Sequence, residues 1–147
     1  MKSCFSAYPA TFELDRGGRY VIRFRDLQGA DAEGDSLDEA VSKVKDALVS
    51  AMKSYAARGL MIPAASEALP GEELVRLPPS LVAKVFLLNH MMQGGVRPGD
   101  LAERMGVRPQ EVSRITDLSH NSKIDTVARA LEAVGQRLEL TVSPARR

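Results

Sequence analysis

The chain places Arg108, Gln110, Ser113 and Arg114 within one short stretch. A glutamine amide can pair with two atoms of an adenine edge, an arginine with two of a guanine edge, and a serine hydroxyl with either. Gln110 and Arg114 are four apart, so on a helix they share a face. Val112 and Ile115 fall on the other side, where burial would fix the rotation of that helix. Arg97, Ser122 and Lys123 flank the stretch. Their types suit phosphate oxygens, contacts that position a protein without specifying sequence. The chemistry on offer is recognition of a double-helical groove.

Residue types that make or break bonds are scarce. Cys4 is the only cysteine and His90 and His120 are the only histidines. An intramolecular disulfide, a cysteine metal cluster and a histidine-based triad are therefore not expected, nor is any cofactor or metal. Glu13, Asp15 and Asp26 are the carboxylates that a Mg²⁺-dependent nuclease would need. Strand alternation would turn Glu13 outward and leave the other two at turn ends, without a fourth partner. The expectation is a binding protein and not an enzyme. A second group of acids, Asp31, Glu33, Asp35 and Asp38, lies in a polar loop that would complement an electropositive groove on a partner. Arg19, Arg23 and Arg25 alternate outward on a strand, as a solvated face or as a contact surface; Arg23 and Arg25 are candidate partner contacts.

The groove-reading residues need a rigid mount, and residues 101–115, LAERMGVRPQEVSRI, supply its pattern. Leu101, Ala102 and Met105 have helical spacing, as have Val112 and Ile115. Gly106 stands where a first helix must stop and the chain must turn. Pro109 suits the first turn of a second helix. This is the helix-turn-helix pattern, whose second helix enters a major groove; the structural alternative is a plain corner between two helices. A helix from Leu81 to about Gln93, capped by Ser80, is expected to precede it. A further helix from Ile124 to Val134, opened by a capping box Ser122-x-x-Asp125, is expected to follow. A last strand, Arg137–Val142, would carry Leu138, Leu140 and Val142 on one face.

The first half has a different grammar. Tyr8, Ala10, Phe12 and Leu14 alternate with polar residues, Asp15-Arg16-Gly17-Gly18 signals a hairpin, and Tyr20, Ile22 and Phe24 alternate again. A short third strand is expected around Ala30–Glu33. Ser36-x-x-Glu39 fits a capping box opening a helix. Its apolar stripe would be Leu37, Val41, Val44, Leu48, Met52 and Tyr55. Residues 60–73, with Pro63 and Pro70, have the composition of a linker. Leu74–Leu77 would form a brief strand returning to the sheet.

The 147 residues suffice for one ordinary domain or two small ones, and the net charge is only +1. Groove binding would thus rest on local charge and on doubling by oligomerisation. The N-terminus lacks the apolar core of a signal peptide and no run of apolar residues is long enough to span a bilayer. A cytoplasmic protein with no membrane association is the expectation.

Two stretches carry family resemblances. Residues 8–66, through the hairpin DRGGRYVIRFRDLQG, the helix start GDSLDEA and the closing RGLMIP, resemble the N-terminal domain of the HicB antitoxin family. Residues 97–135 resemble the phage-repressor type of helix-turn-helix domain that many HicB proteins carry C-terminally. The sequence departs from that type at Arg108, where a capping Ser or Thr is usual. The resemblance implies an α+β chain, with a partial ribonuclease-H-like β-β-β-α(-β) domain followed by an all-α helix-turn-helix domain and a short C-terminal strand. Residues 1–66 would bind the toxin, 67–79 would form a linker and short strand, and 80–147 would bind DNA and dimerise. The implied function is an antitoxin that neutralises a HicA-type ribonuclease toxin and represses its own operon at double-stranded operator DNA, as a homodimer or dimer of dimers. The alternative reading of the residues is a stand-alone transcription regulator whose N-terminal domain senses a ligand or oligomerises.

Overall fold

The computed structural model describes residues 4–145; the outermost ends of the two expected domain ranges, 1–3 and 146–147, lie outside them. Strands β1 (Ala7–Leu14), β2 (Tyr20–Phe24) and β3 (Ala32–Gly34) precede helix α1 (Leu37–Ala57), and strand β4 (Glu73–Arg76) follows it. The sheet is antiparallel in the order β3-β2-β1-β4, so the returning strand closes against the first. The fold is mixed α+β, as the two periodicities predict. Asp15 builds the hairpin: its carboxylate accepts from the Gly17 and Arg19 amides, each at 2.9 Å. Ser36 caps α1 by accepting from the Glu39 amide, and Glu39 accepts in turn from the Asp35 amide.

One sheet face lies under α1. Tyr8, Ala10, Ile22, Phe24 and Ala32 pack there against Ala40, Val44, Leu48 and Met52. Strand β3 comes so close that a Cβ on Gly34 would stand 2.6 Å from the Ala40 nitrogen. Leu37 and Val41, expected in the buried stripe, are exposed in the first turns of α1, as is Leu14 at the end of β1.

Helices α2 (Pro79–Gly94), α3 (Pro98–Met105), α4 (Pro109–Ile115) and α5 (Ile124–Ala133) make up the second half. Their core gathers Ala83, Leu87, Met91, Leu101, Val112, Ile115, Val127 and Leu131. Helix α2 serves both cores, because Leu81 and Val85 face the sheet–α1 cluster.

Four expectations need correction. Arg137–Val142 forms no strand; residues 136–145 have no regular structure, and Leu140 and Val142 are exposed. Among the described residues the segment pairs with no strand, since β3 and β4, the two edges of the sheet, do not take it up, and an isolated strand leaves its backbone groups unpaired. Helix α5 begins at Ile124 with Lys123 in the cap position and no side-chain cap, so Ser122 opens no capping box. Helix α2 is likewise entered through Pro78 and Pro79, not capped by Ser80; proline is already set for the first turn. The stretch 60–73 is tied down by many bonds. Ile62 is buried, Asn89 accepts from its amide and donates to its carbonyl, and Tyr8 donates to the Pro63 carbonyl.

Candidate functional site

Helices α3 and α4 meet through a turn of three residues. Gly106 is left-handed at φ 68°, a conformation that other residues reach only at steric cost. The Val107 amide then donates back to the Ala102 carbonyl at 3.1 Å, which closes the end of α3. Arg108 is extended and makes no side-chain cap, and Pro109 starts α4. Val112 and Ile115 are buried against Leu101 and Ala102. That burial turns the opposite face of α4 outward, so Gln110, Ser113 and Arg114 are all exposed.

The structure brings three of the seven sequence-selected groove residues together in one depression. Arg114, Ser122 and Lys123 line one shallow depression of about 190 Å³, with His120 and Asn121 between them. Arg108 stands at the entrance of α4. Arg97 is farther back, in the cap position of α3, where its amide donates to the Asp100 carboxylate at 2.9 Å. Arg97, Arg108 and Lys123 are exposed and Ser122 is half-buried. His120 and Asn121 belong to this surface by geometry, although nothing in the local sequence marks them.

The second candidate surface is the outer face and β3 edge of the sheet. Arg23 lies 3.6 Å from Glu13 and 3.8 Å from Asp31, and Arg19 lies 3.9 Å from Glu33 and 3.8 Å from Asp35. Four acids thus surround two arginines on the β2–β3 side, while Arg76 of β4, opposite Ala7, adds an exposed cation at the far side of the face. Asp38 is exposed in the first turn of α1 beside them. Arg25 behaves differently. Its Nε donates to the Glu72 carboxylate at 2.9 Å, and its other nitrogens reach Ser66 and the Glu67 carbonyl. This bond holds the Glu72 carboxyl below the usual carboxylate range. Arg25 thus fastens the 66–72 segment to the sheet.

The three carboxylates weighed for metal chemistry have separate engagements. Glu13 pairs with Arg23, Asp15 serves the hairpin, and Asp26 accepts from the amide and hydroxyl of Ser66. Among the described residues no three histidine, cysteine or carboxylate side chains converge as metal ligands. No helix among them is long and apolar enough to cross a membrane.

Sequence reasoning missed Lys84, which is buried in α2 and donates to three carbonyls beyond it. A lone cation inside the apolar run LVAKVFLLNH was the available signal.

Comparison with known proteins identifies the family of the chain. Residues 7–86 match the model of the HicB_like antitoxin of bacterial toxin-antitoxin systems. Over 133 residues the chain is 44% identical to Antitoxin HicB 2 of Photorhabdus laumondii, covering 90% of this chain and 94% of the relative. It is 34% identical over 135 residues to Antitoxin HicB of Escherichia coli K12, covering 92% and 98%. A third relative, Antitoxin HicB of Pseudomonas fluorescens, is 37% identical over 115 residues, covering 78% and 79%. These relatives are named as antitoxins and none of these names denotes an enzyme.

Proposed function

The chain belongs to the HicB-like antitoxin family of bacterial toxin-antitoxin systems, and from that premise we propose that it is an antitoxin with two separate binding surfaces. Residues 1–66 bind and neutralise a HicA-type ribonuclease toxin. The helix-turn-helix half binds operator DNA and represses the antitoxin's own operon. The observation that carries the reading is the joining, in one chain, of a family-matched sheet–helix unit to an α4 whose base-reading side chains all point outward.

The acidic β2–β3 side of the sheet face supports the toxin half. A ribonuclease groove is electropositive because it holds phosphates, and Asp31, Glu33, Asp35 and Asp38 offer complementary charge. On the DNA side, Gln110, Ser113 and Arg114 contact base edges, Arg108 a base or phosphate, and Arg97, Ser122 and Lys123 the backbone. One seven-residue helix covers too few phosphates for tight operator binding, so the chain acts as a homodimer or dimer of dimers across two half-sites. The exposed Leu140 and Val142 offer the contact, with a strand forming only against the partner copy.

The test is co-expression with a HicA-type toxin, together with operator binding by the purified chain. Restored growth and a stable complex are expected, with operator DNA bound by the full chain. Deleting residues 136–147 should give monomers with reduced operator affinity. Persistent toxicity with a soluble, folded antitoxin would refute the toxin half; equal affinity for operator and random duplex would refute the DNA half.

A further inference from the structure

Helix α4 is held from outside the helix-turn-helix. Lys84 in α2 is only 1% exposed, between Val85, which packs into the sheet–α1 core, and Ala83, which packs into the helical core. Its Nζ donates to the carbonyls of Arg114 at 3.1 Å and Asp117 at 2.8 Å, and to that of His120. An ammonium has three N–H bonds and no acceptor, so all of its bonding capacity is spent here. Arg114 lies in the last turn of α4, at the negative end of the helix dipole, and its carbonyl also accepts from the Asp117 amide at 3.3 Å. Burying a charge is costly unless such partners meet it.

The same turn is held from α1 as well. Lys53 donates to the Ser119 hydroxyl at 3.1 Å and lies 3.6 Å from Asp117. Leu118 is buried in the sheet–α1 core. The Ser119 amide donates to Asp117 at 2.9 Å, and that bond chiefly holds the Asp117 carboxyl below its usual range. Three grips therefore act on the residues that follow α4, and all of them come from elements other than its helix-turn-helix partner α3. Helix α4 itself is short and buries only Val112 and Ile115.

We infer that Lys84 is a positioning residue for operator recognition: it sets the orientation of α4 relative to the sheet–helix unit without touching DNA. The inference rests on the reading of α4 as the operator-reading helix. It separates selectivity, which needs α4 held in one orientation, from general DNA affinity, which needs only exposed cations.

The full-length Lys84→Met variant tests it with two readouts. The first is amide exchange without DNA. Exchange at Thr116 and His120 should accelerate about tenfold relative to Ala130 and Leu131 in α5, because local opening tracks the bonds removed. The second is the ratio of operator to random-duplex affinity, which should fall about tenfold while random-duplex binding changes by less than about twofold. Uniform acceleration across α3, α4 and α5 would assign Lys84 to general stability and overturn the inference, as would an unchanged affinity ratio. If the parent chain shows no operator preference, the DNA reading fails, and the exchange arm still decides whether Lys84 holds α4. If Lys84→Met does not fold, Lys84→Gln, which keeps a donor in place of the ammonium, carries the same expectations at smaller size. Unchanged exchange at Thr116 and His120 in Lys84→Gln would overturn the inference.

Discussion

Arginines occur on both candidate surfaces, under opposite conditions. On the sheet, Arg19, Arg23 and Arg25 lie 2.9–3.9 Å from carboxylates. On the helix-turn-helix, Arg97, Arg108, Arg114 and Lys123 have no carboxylate in ion-pair range among the described residues. Exposed ion pairs contribute little to stability, but they decide what a surface presents to a partner. The sheet presents excess acid around neutralised cations, which suits a basic protein. The helix surface presents cations free of ion pairs, with amide and hydroxyl groups and the Glu111 carboxylate among them. In a chain of net charge +1, the two surfaces thus differ in how their cations are engaged rather than in total charge.

The largest expected effect reverses the charge of the sheet face. Asp31→Lys, Glu33→Lys and Asp35→Lys together place like charges against a basic toxin groove and should cost several kcal/mol of toxin affinity. Calorimetric titration with the toxin measures this; an unchanged affinity would move the binding site off this face. On the other surface, Arg114→Ala should cost about 1–3 kcal/mol at the operator and relax preference at one base pair per half-site. A series of operator variants reads that loss. Lys123→Ala should act more evenly, weakening every duplex alike and lowering the salt slope by roughly one unit for each phosphate that the lysine no longer neutralises.

A smaller effect concerns Arg25, which differs from Arg19 and Arg23 in fastening a segment of its own chain. Its bond to Glu72 lowers the folded-state pKa of that carboxyl. The stabilisation is therefore present above the unfolded pKa, in the ordinary glutamate range, and is lost as pH falls through the depressed folded value. Thermal melts between neutral and acid pH should show Glu72→Gln with a shallower acid-side decline than the parent. Parallel declines would mean that other carboxylates govern that limb.

The sequence made some of this legible and not the rest, for physical reasons. Gly106 and Pro109 announce the α3–α4 turn, and Asp15–Gly18 and Ser36–Glu39 announce the hairpin and the start of α1. In each case the determining bonds lie within a few residues. Exposure of Gln110 and Arg114 followed from helical spacing against Val112 and Ile115. Arg25 was opaque because its partner Glu72 is 47 positions away, and strand alternation tells only which way a side chain sets out. Lys84 was opaque for the same reason, its acceptors lying 30–36 positions downstream. The exposure of Leu37 and Val41 is set by where the sheet meets the start of α1, which no helical period contains. Of the alternating Leu138, Leu140 and Val142, only Leu138 packs against the helical core, and the other two are exposed, which alternation alone does not distinguish.

The central claim is that two surfaces serve two ligands independently. Its most direct test is a crossed measurement on the full chain. Toxin affinity and operator affinity are determined for the parent, for Arg114→Ala, and for the Asp31→Lys, Glu33→Lys, Asp35→Lys variant. Arg114→Ala is expected to lose operator affinity and keep toxin affinity within experimental error, and the triple variant to do the reverse. Loss of both ligands by either variant, with the fold intact, would contradict it.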